Sequence, residues 1–241
     1  MSVPLLGAGL AVDVLPFTPA SISGLQLWLD ASDASTLFQN SNGTTAATAA
    51  GDPVGYWGDR SGNGRNVTQS DGTMKPALTS TYSQNGIKGI LGDGSNDYLI
   101  TSSSGFLSAP FTYFVVLKSL NASRFDRIVD GQNAGGNFDG WTSNNYIIYS
   151  GNAVYGWPRT TTTQLVVIKF NGASSFIRIN GASSAGPVNP GSTNPSQIGI
   201  FSTGISGNGN VVMYEFLAYN NISDANRSTI ESYLNTKWSI Y

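Results

Sequence analysis

The sequence contains no cysteine and no histidine among its 241 residues, and only 11% of them are charged. Without Cys there are no disulfides and no thiolate metal sites. Without His, the commonest general base and the commonest nitrogen ligand for metals are both missing. Ser–His–Asp and Cys–His catalysis, and His-based zinc or iron chemistry, are excluded with them. Glutamate is scarce as well, with only Glu215 and Glu231 present. The charged fraction lies far below the roughly one quarter typical of soluble proteins. A net charge of −2 supplies no basic field to neutralise phosphates, so nucleic acid is not an expected partner.

What is present points to strands. Hydrophobic residues make up 40% of the chain, enough for a sizeable core, and the length suits one large β-sandwich. In Gly24-Leu25-Gln26-Leu27-Trp28-Leu29-Asp30-Ala31, leucine at every second position is the period of a half-buried strand. Asp30, Ser32 and Asp33 then favour a turn. Phe111 to Lys118 is the strongest strand, apolar on both faces as a central strand should be. Leu165–Phe170 and Ser175–Ile179, separated by Asn171-Gly172 and followed by Asn180-Gly181, give a hairpin signal. Val211 to Tyr219 is the last strand. Ser223-Asp224 can cap a helix that places Ile230, Tyr233, Leu234 and Trp238 on one face, with Arg227, Glu231 and Asn235 away from it.

The start differs from the rest. Met1 to Phe17 is apolar, but no Lys or Arg precedes the apolar part, and Pro4 and Asp13 interrupt it. It therefore reads as neither an export signal nor a bilayer span, and no membrane insertion is expected. A floppy terminus is the plain reading. The sharper one is an arm in which Leu5, Leu6, Leu10, Val12, Val14, Leu15 and Phe17 dock on a partner, since exposed they would be a solubility liability. Residues 1–21, ending in the Phe17-Thr18-Pro19-Ala20 linker, are then arm, and 22–241 one module.

Three stretches in order carry a resemblance: Gly24 to Ala31, Trp57-Gly58-Asp59-Arg60-Ser61-Gly62-Asn63-Gly64, and Asp93-Gly94-Ser95-Asn96-Asp97-Tyr98-Leu99. With Glu215-Phe216-Leu217-Ala218-Tyr219-Asn220 and the helix to Trp238, they resemble the laminin-G-like, concanavalin A-like jelly-roll superfamily over roughly Ile22 to Tyr241. The resemblance implies an all-β, two-sheet antiparallel jelly-roll sandwich with one C-terminal amphipathic helix, here behind an extended N-terminal arm. The apolar leader running into Phe17 to Ala20 is also similar to phage or prophage virion proteins. The fold alone does not name a function, because it hosts lectins, glucanases, adhesion modules and virion parts.

Candidate chemistry is sparse. The enzyme branch of the superfamily uses two Glu close together on one strand, whereas Glu215 lies on a strand and Glu231 on the helix, so no enzyme is expected. Laminin-G-like modules often hold Ca²⁺ at a loop rim. Asp93, Asn96 and Asp97 are the candidate ligands, with Asp59 and Asp130 as further partners, and the competing reading is an Asx-type turn. No other cofactor is required. For glycan binding, the aromatic Gly/Asn-rich stretches 138–145 and 155–159, taken as loops, offer Trp141, Asn144, Asn145, Tyr155, Trp157 and Arg159. Trp141 and Trp157 could instead cap the ends of the core, while Trp28 and Trp238 are expected in the core.

The expectation is a non-enzymatic virion surface protein, assembled in the host cytoplasm and anchored to other virion proteins by its arm. It would be a homo-oligomer, with a trimer favoured. Host-surface glycan adhesion, as part of a tail fibre or tail tip, leads. The alternatives are a capsid decoration protein that stabilises the head, or a carbohydrate-binding module of a non-viral surface protein.

Overall fold

A computed structural model describes residues 17–183, 187–204 and 207–241. The apolar positions expected to dock, Leu5 through Leu15, lie outside these described residues. The strands are β1 (Leu25–Asp30), β2 (Leu37–Phe38), β3 (Tyr56–Trp57), β4 (Val67–Thr68), β5 (Ala77–Gln84), β6 (Ile87–Leu91), β7 (Leu99–Thr101), β8 (Phe111–Ser119), β9 (Asp126–Gly131), β10 (Asn137–Trp141), β11 (Asn145–Tyr149), β12 (Ala153–Pro158), β13 (Thr163–Phe170), β14 (Phe176–Ile179), β15 (Ala182–Ser183), β16 (Ile198–Ile200) and β17 (Val211–Asn220). One helix, α1 (Asp224–Trp238), follows them.

They form two antiparallel sheets, a jelly-roll-like β-sandwich. The first runs β15-β14-β13-β8-β17-β6-β5, with β1 also paired to β17, and the second runs β12-β11-β10-β9-β16-β7-β4-β3-β2. Alternation along β8 divides the apolar residues between two cores. Phe111, Tyr113, Val115 and Leu117 face the second sheet, where they meet a buried cluster that includes Trp57, Phe138, Tyr146, Ile148 and Trp157. Phe114 and Val116 point the other way, into a cluster with Trp28, Ile230, Leu234 and Trp238. The double-sided pattern of β8 thus arises because α1 covers the face of the first sheet that the second sheet does not.

The helix begins as expected. The Ser223 side-chain oxygen accepts a hydrogen bond from the Asn226 N–H at 3.2 Å, and Ser239 ends the helix in the left-handed region. One position departs from the expected outward face. Glu231 is buried, because Arg178 of β14 (3.0 Å) and Arg227 (2.6 Å) both reach its carboxylate. Tyr233 is half-buried and packs edge-on against Phe17, with ring centroids 5.5 Å apart. The packed part of the chain also begins before Ile22, since Pro19 is buried and its carbonyl accepts a hydrogen bond from the Tyr219 hydroxyl at 2.8 Å.

The free edge of β1 shows what the Trp57–Gly64 stretch does. Asp59 Oδ1 accepts from the Trp28 N–H at 3.0 Å, the Arg60 N–H donates to the Trp28 carbonyl at 2.8 Å, and Asn63 Nδ2 donates to the Leu25 carbonyl at 3.1 Å. A loop, rather than another strand, satisfies this edge and blocks it from pairing with another chain. Among the described residues no helix is long and apolar enough to cross a membrane.

Candidate functional site

The strands β9 to β12 form a meander, and their alternation sorts side chains onto two faces. Val129, Phe138, Tyr146 and Trp157 enter the core. On the outer face the register aligns Arg127 with Asp139, Asp139 with Ile147, and Ile147 with Tyr155. The ladder slips between Phe138 and Asp139 and again between Tyr146 and Ile147. Irregularities of this kind re-aim side chains. The stretches expected to be aromatic loops are therefore largely strands. Their Gly and Asn content hid an alternation of Phe138 in, Asp139 out, Gly140 in and Trp141 out. Gly140 is required there, because an added Cβ would lie 2.0 Å from the Arg159 guanidinium.

A pocket of about 490 Å³ opens on this face. Arg127, Asp130, Asn137, Asp139, Tyr149 and Thr203 contribute to its walls, and the turn after β9 closes one end. In that turn Asn133 and Ala134 both take positive φ, 65° and 56°. This conformation is costly for a residue with a Cβ and recurs at binding sites. Asp130 is saturated. It accepts from Arg127 Nη1 (3.1 Å), Asn137 Nδ2 (2.6 Å), the Thr203 N–H (3.0 Å) and Thr203 Oγ1 (2.6 Å).

Asp139 is not. It is only 5% exposed, and among the described residues its Oδ1 has no hydrogen-bond partner; nor does the Oδ1 of Asn137. Burial pushes the Asp139 carboxyl up to about 8, opposed in part by the Arg127 charge and reinforced by Asp130. A carboxyl whose folded pKa is raised favours the fold when protonated. That contribution is complete below about 3.8 and lost as the pH rises through about 8.

Beside the pocket lies an aromatic row. Phe125 meets Trp141 edge-on at 5.6 Å, and Trp141 meets Tyr155 at 5.3 Å. Tyr155 is 49% exposed. The Arg127 guanidinium sits 5.6 Å from the Phe125 ring.

Of the residues expected to bind glycan, Trp141 and Tyr155 share this face. Asn144 and Asn145 close the β10–β11 turn. Asn144 Oδ1 accepts from Ser123 Oγ at 2.8 Å, and Asn145 Nδ2 donates to Ser143 Oγ at 3.2 Å. Trp157 and Arg159 correct the expectation. Trp157 is a core residue, because it sits at an inward position of β12, opposite Tyr146. Arg159 is 2% exposed; it pairs with Asp126 and donates to Ser119 Oγ at 2.8 Å and to the Arg124 carbonyl at 2.7 Å.

The calcium candidates do not fit the ion. Asp93 Oδ1 accepts from the N–H groups of Ser95 (2.7 Å) and Asn96 (3.3 Å), and Asp97 Oδ2 accepts from the Asp93 N–H at 3.0 Å. Burial lifts the Asp97 carboxyl to about 6. Asn96 turns its amide nitrogen to the Thr73 carbonyl at 2.9 Å. The loop thus consumes oxygens that Ca²⁺ would need, and this is the Asx-turn reading. Asp59 is spent likewise on Trp28, Ser61 and Arg65, and Asp130 on the donors named above. Among the described residues no group of three acidic side chains could hold a metal. Glu215 and Glu231 lie in buried ion networks beneath α1, away from the pocket.

Sequence reasoning missed Phe125, Arg127, Asn137, Asp139, Tyr149 and Thr203. The signal for Asp139 and Trp141 was alternation inside a Gly-rich run. Thr203 carried none, since only the turn after β16 brings it to Asp130.

No family model matches the chain, and no curated protein matches it. Solved structures share its fold. Trypanosoma rangeli sialidase aligns with a TM-score of 0.59 at 14% identity, over 90% of this chain and 33% of that one. An arabinofuranosidase complexed with arabinofuranosyl-α-1,2-xylobiose gives 0.57 at 15% identity, over 87% and 60%. Botulinum neurotoxin type C, in a structure concerned with cell entry through two ganglioside molecules, gives 0.54 at 14% identity, over 88% and 51%. The chain spans about one third of the sialidase's length.

Proposed function

We propose that the chain is a non-enzymatic glycan-binding module carried on a phage virion surface. The observation that carries the binding reading is the outer face of the β9–β12 meander, where a half-exposed aromatic row borders a polar pocket. Aromatic rings cover the apolar faces of sugars while a few fixed polar groups orient the hydroxyls. The proteins that share the fold lend support, since their descriptions name sialic acid, a ganglioside and an arabinofuranosyl xylobiose. Binding is favoured over hydrolysis because Asp130 is held by four donors, which leaves no free carboxylate to act beside Asp139 as nucleophile or base.

Trp141→Ala and Tyr155→Ala are expected to lower adhesion to host cells by about fivefold each while leaving the melting temperature almost unchanged, since removing a stacking contact costs about 1 kcal/mol. Unchanged adhesion in both variants would count against this face.

The virion reading rests on the resemblance of the leader and on the place where Phe17 packs. Phe17 packs on α1, across both sheets from the pocket, so attachment and recognition would use opposite sides of the module. Deleting residues 1–16 is expected to leave a folded module that no longer joins its particle. Normal incorporation of the truncated protein would overturn that reading, and immunogold labelling of intact particles separates tail from head placement.

A further inference from the structure

Asn137 and Asp139 lie two residues apart on β10, so their side chains share the outer face. Both line the pocket, and they are only 6% and 5% exposed. Each carries an oxygen that no described residue bonds. Native proteins pair nearly all such buried acceptors, because leaving one unmade is costly. The Asn137 amide cannot solve this by rotating, because its Nδ2 is held on Asp130 at 2.6 Å. A flipped amide would set two acceptors against each other. The pocket therefore leaves hydrogen bonds unmade at two neighbouring points.

The charges narrow the choice of ligand. The cation at the pocket is Arg127, and Asp130 engages it at 3.1 Å. A guanidinium has several N–H donors, and Asp130 engages this one through Nη1. A ligand carboxylate on its other donors would sit beside a like charge that is only 2% exposed, which is unfavourable. An anionic ligand would also set its acceptor oxygens against Asn137 Oδ1, close to the Asp130 charge.

We propose that this pocket selects a neutral sugar, whose hydroxyls on successive ring carbons hydrogen-bond Asn137 Oδ1 and Asp139 Oδ1, and that it rejects sugars bearing a carboxylate. This rests on reading the pocket as a glycan site and names the class of glycan. It separates the chain from the sialic acid and ganglioside ligands of proteins that share its fold.

The full chain would be applied to an array of neutral oligosaccharides printed beside the same cores capped with sialic or uronic acid. The expected result is binding to one or more neutral members, at least about tenfold tighter than to their acidic counterparts. Equal or tighter binding of the acidic members would overturn the proposal and leave the glycan reading standing. Binding to no member of either class would overturn both.

Asp139→Leu provides the second arm. It removes the acceptor together with the cost of burying it, so thermal stability is expected to hold or rise while neutral-sugar affinity falls about tenfold or more. Asp139→Asn keeps an oxygen in the same shape and is expected to stay within about threefold of the parent. Loss of affinity in Asp139→Asn as severe as in Asp139→Leu, or undiminished affinity in Asp139→Leu, would contradict the assigned role.

Discussion

Glu215→Ala is expected to cost the fold about 3–5 kcal/mol, the penalty for breaking a buried ion pair, and to lower the melting temperature by roughly 10 °C. Glu215 sits on β17 where two strands meet along the same edge: β6 pairs with Val212 and Met213, and β1 with Glu215 to Tyr219. Its carboxylate accepts from the indole N–H groups of Trp28 (2.8 Å) and Trp238 (2.6 Å) and from Lys237 Nζ (2.7 Å). Asp30 lies opposite it in the β1–β17 ladder, and Lys237 bridges to Asp30 as well at 2.7 Å. Two facing carboxyl groups are thus held by one ammonium, with Arg60 on the far side of Asp30. Burial first, and then the Asp30 charge, push Glu215 up to about 7.

Truncation would leave two buried indole donors and part of the Lys237 charge without partners, and would loosen the end of α1 that covers the first sheet. Glu215→Gln preserves a carbonyl acceptor and should lose only about 1–2 kcal/mol. Chemical denaturation of the three proteins checks this. A loss below about 1 kcal/mol for Glu215→Ala would show that the network is not what joins the first strand, the last strand and the helix.

Arg159→Ala should be nearly as damaging, again by about 3–5 kcal/mol, and for a reason that separates scaffold from site. Arg159 and Asp126 are both fully buried at their side chains and pair directly. Asp126 Oδ1 also holds Arg124 Nε at 2.9 Å and the Asn210 N–H at 2.8 Å. Removing Arg159 takes the arginine from Asp126 Oδ2, leaving that buried oxygen uncompensated, and opens the space that Gly140 leaves for the guanidinium. The comparison with Tyr155→Ala is informative: the arginine variant should melt far earlier, while the tyrosine variant should melt like the parent and bind less well. Were Arg159→Ala to keep its melting temperature and lose adhesion, the arginine would belong to the binding surface after all.

The fold was legible where patterns were long and chemically clean. Alternation marked β1, β8 and β17, Asn-Gly marked the β13–β14 turn, and Ser223 marked the start of α1. The site was much less so. β10 and β12 are rich in Gly, Asn and Pro, whose local preferences oppose strand, and the pairing with β9 and β11 overrides them. Trp157 and Arg159 looked like loop residues because the inward direction of a strand cannot be assigned before the strand is recognised. Asp139 gave no local sign of its unpartnered oxygen, since that depends on which donors the bulges and the Asn133–Ala134 turn bring near. Glu231 lies next to the apolar stripe of α1, and Arg178 arriving from β14 joins Arg227 in making its burial tolerable.

The account turns on one surface, the outer face of the β9–β12 meander. The most direct measurement follows backbone amide shifts while the protein is titrated with the tightest-binding neutral oligosaccharide from the array. Saturable changes confined to Phe125–Asp130, Asn137–Trp141 and Ile147–Tyr155 are the predicted result. Changes centred on α1 and Phe17, with that meander silent, would contradict it.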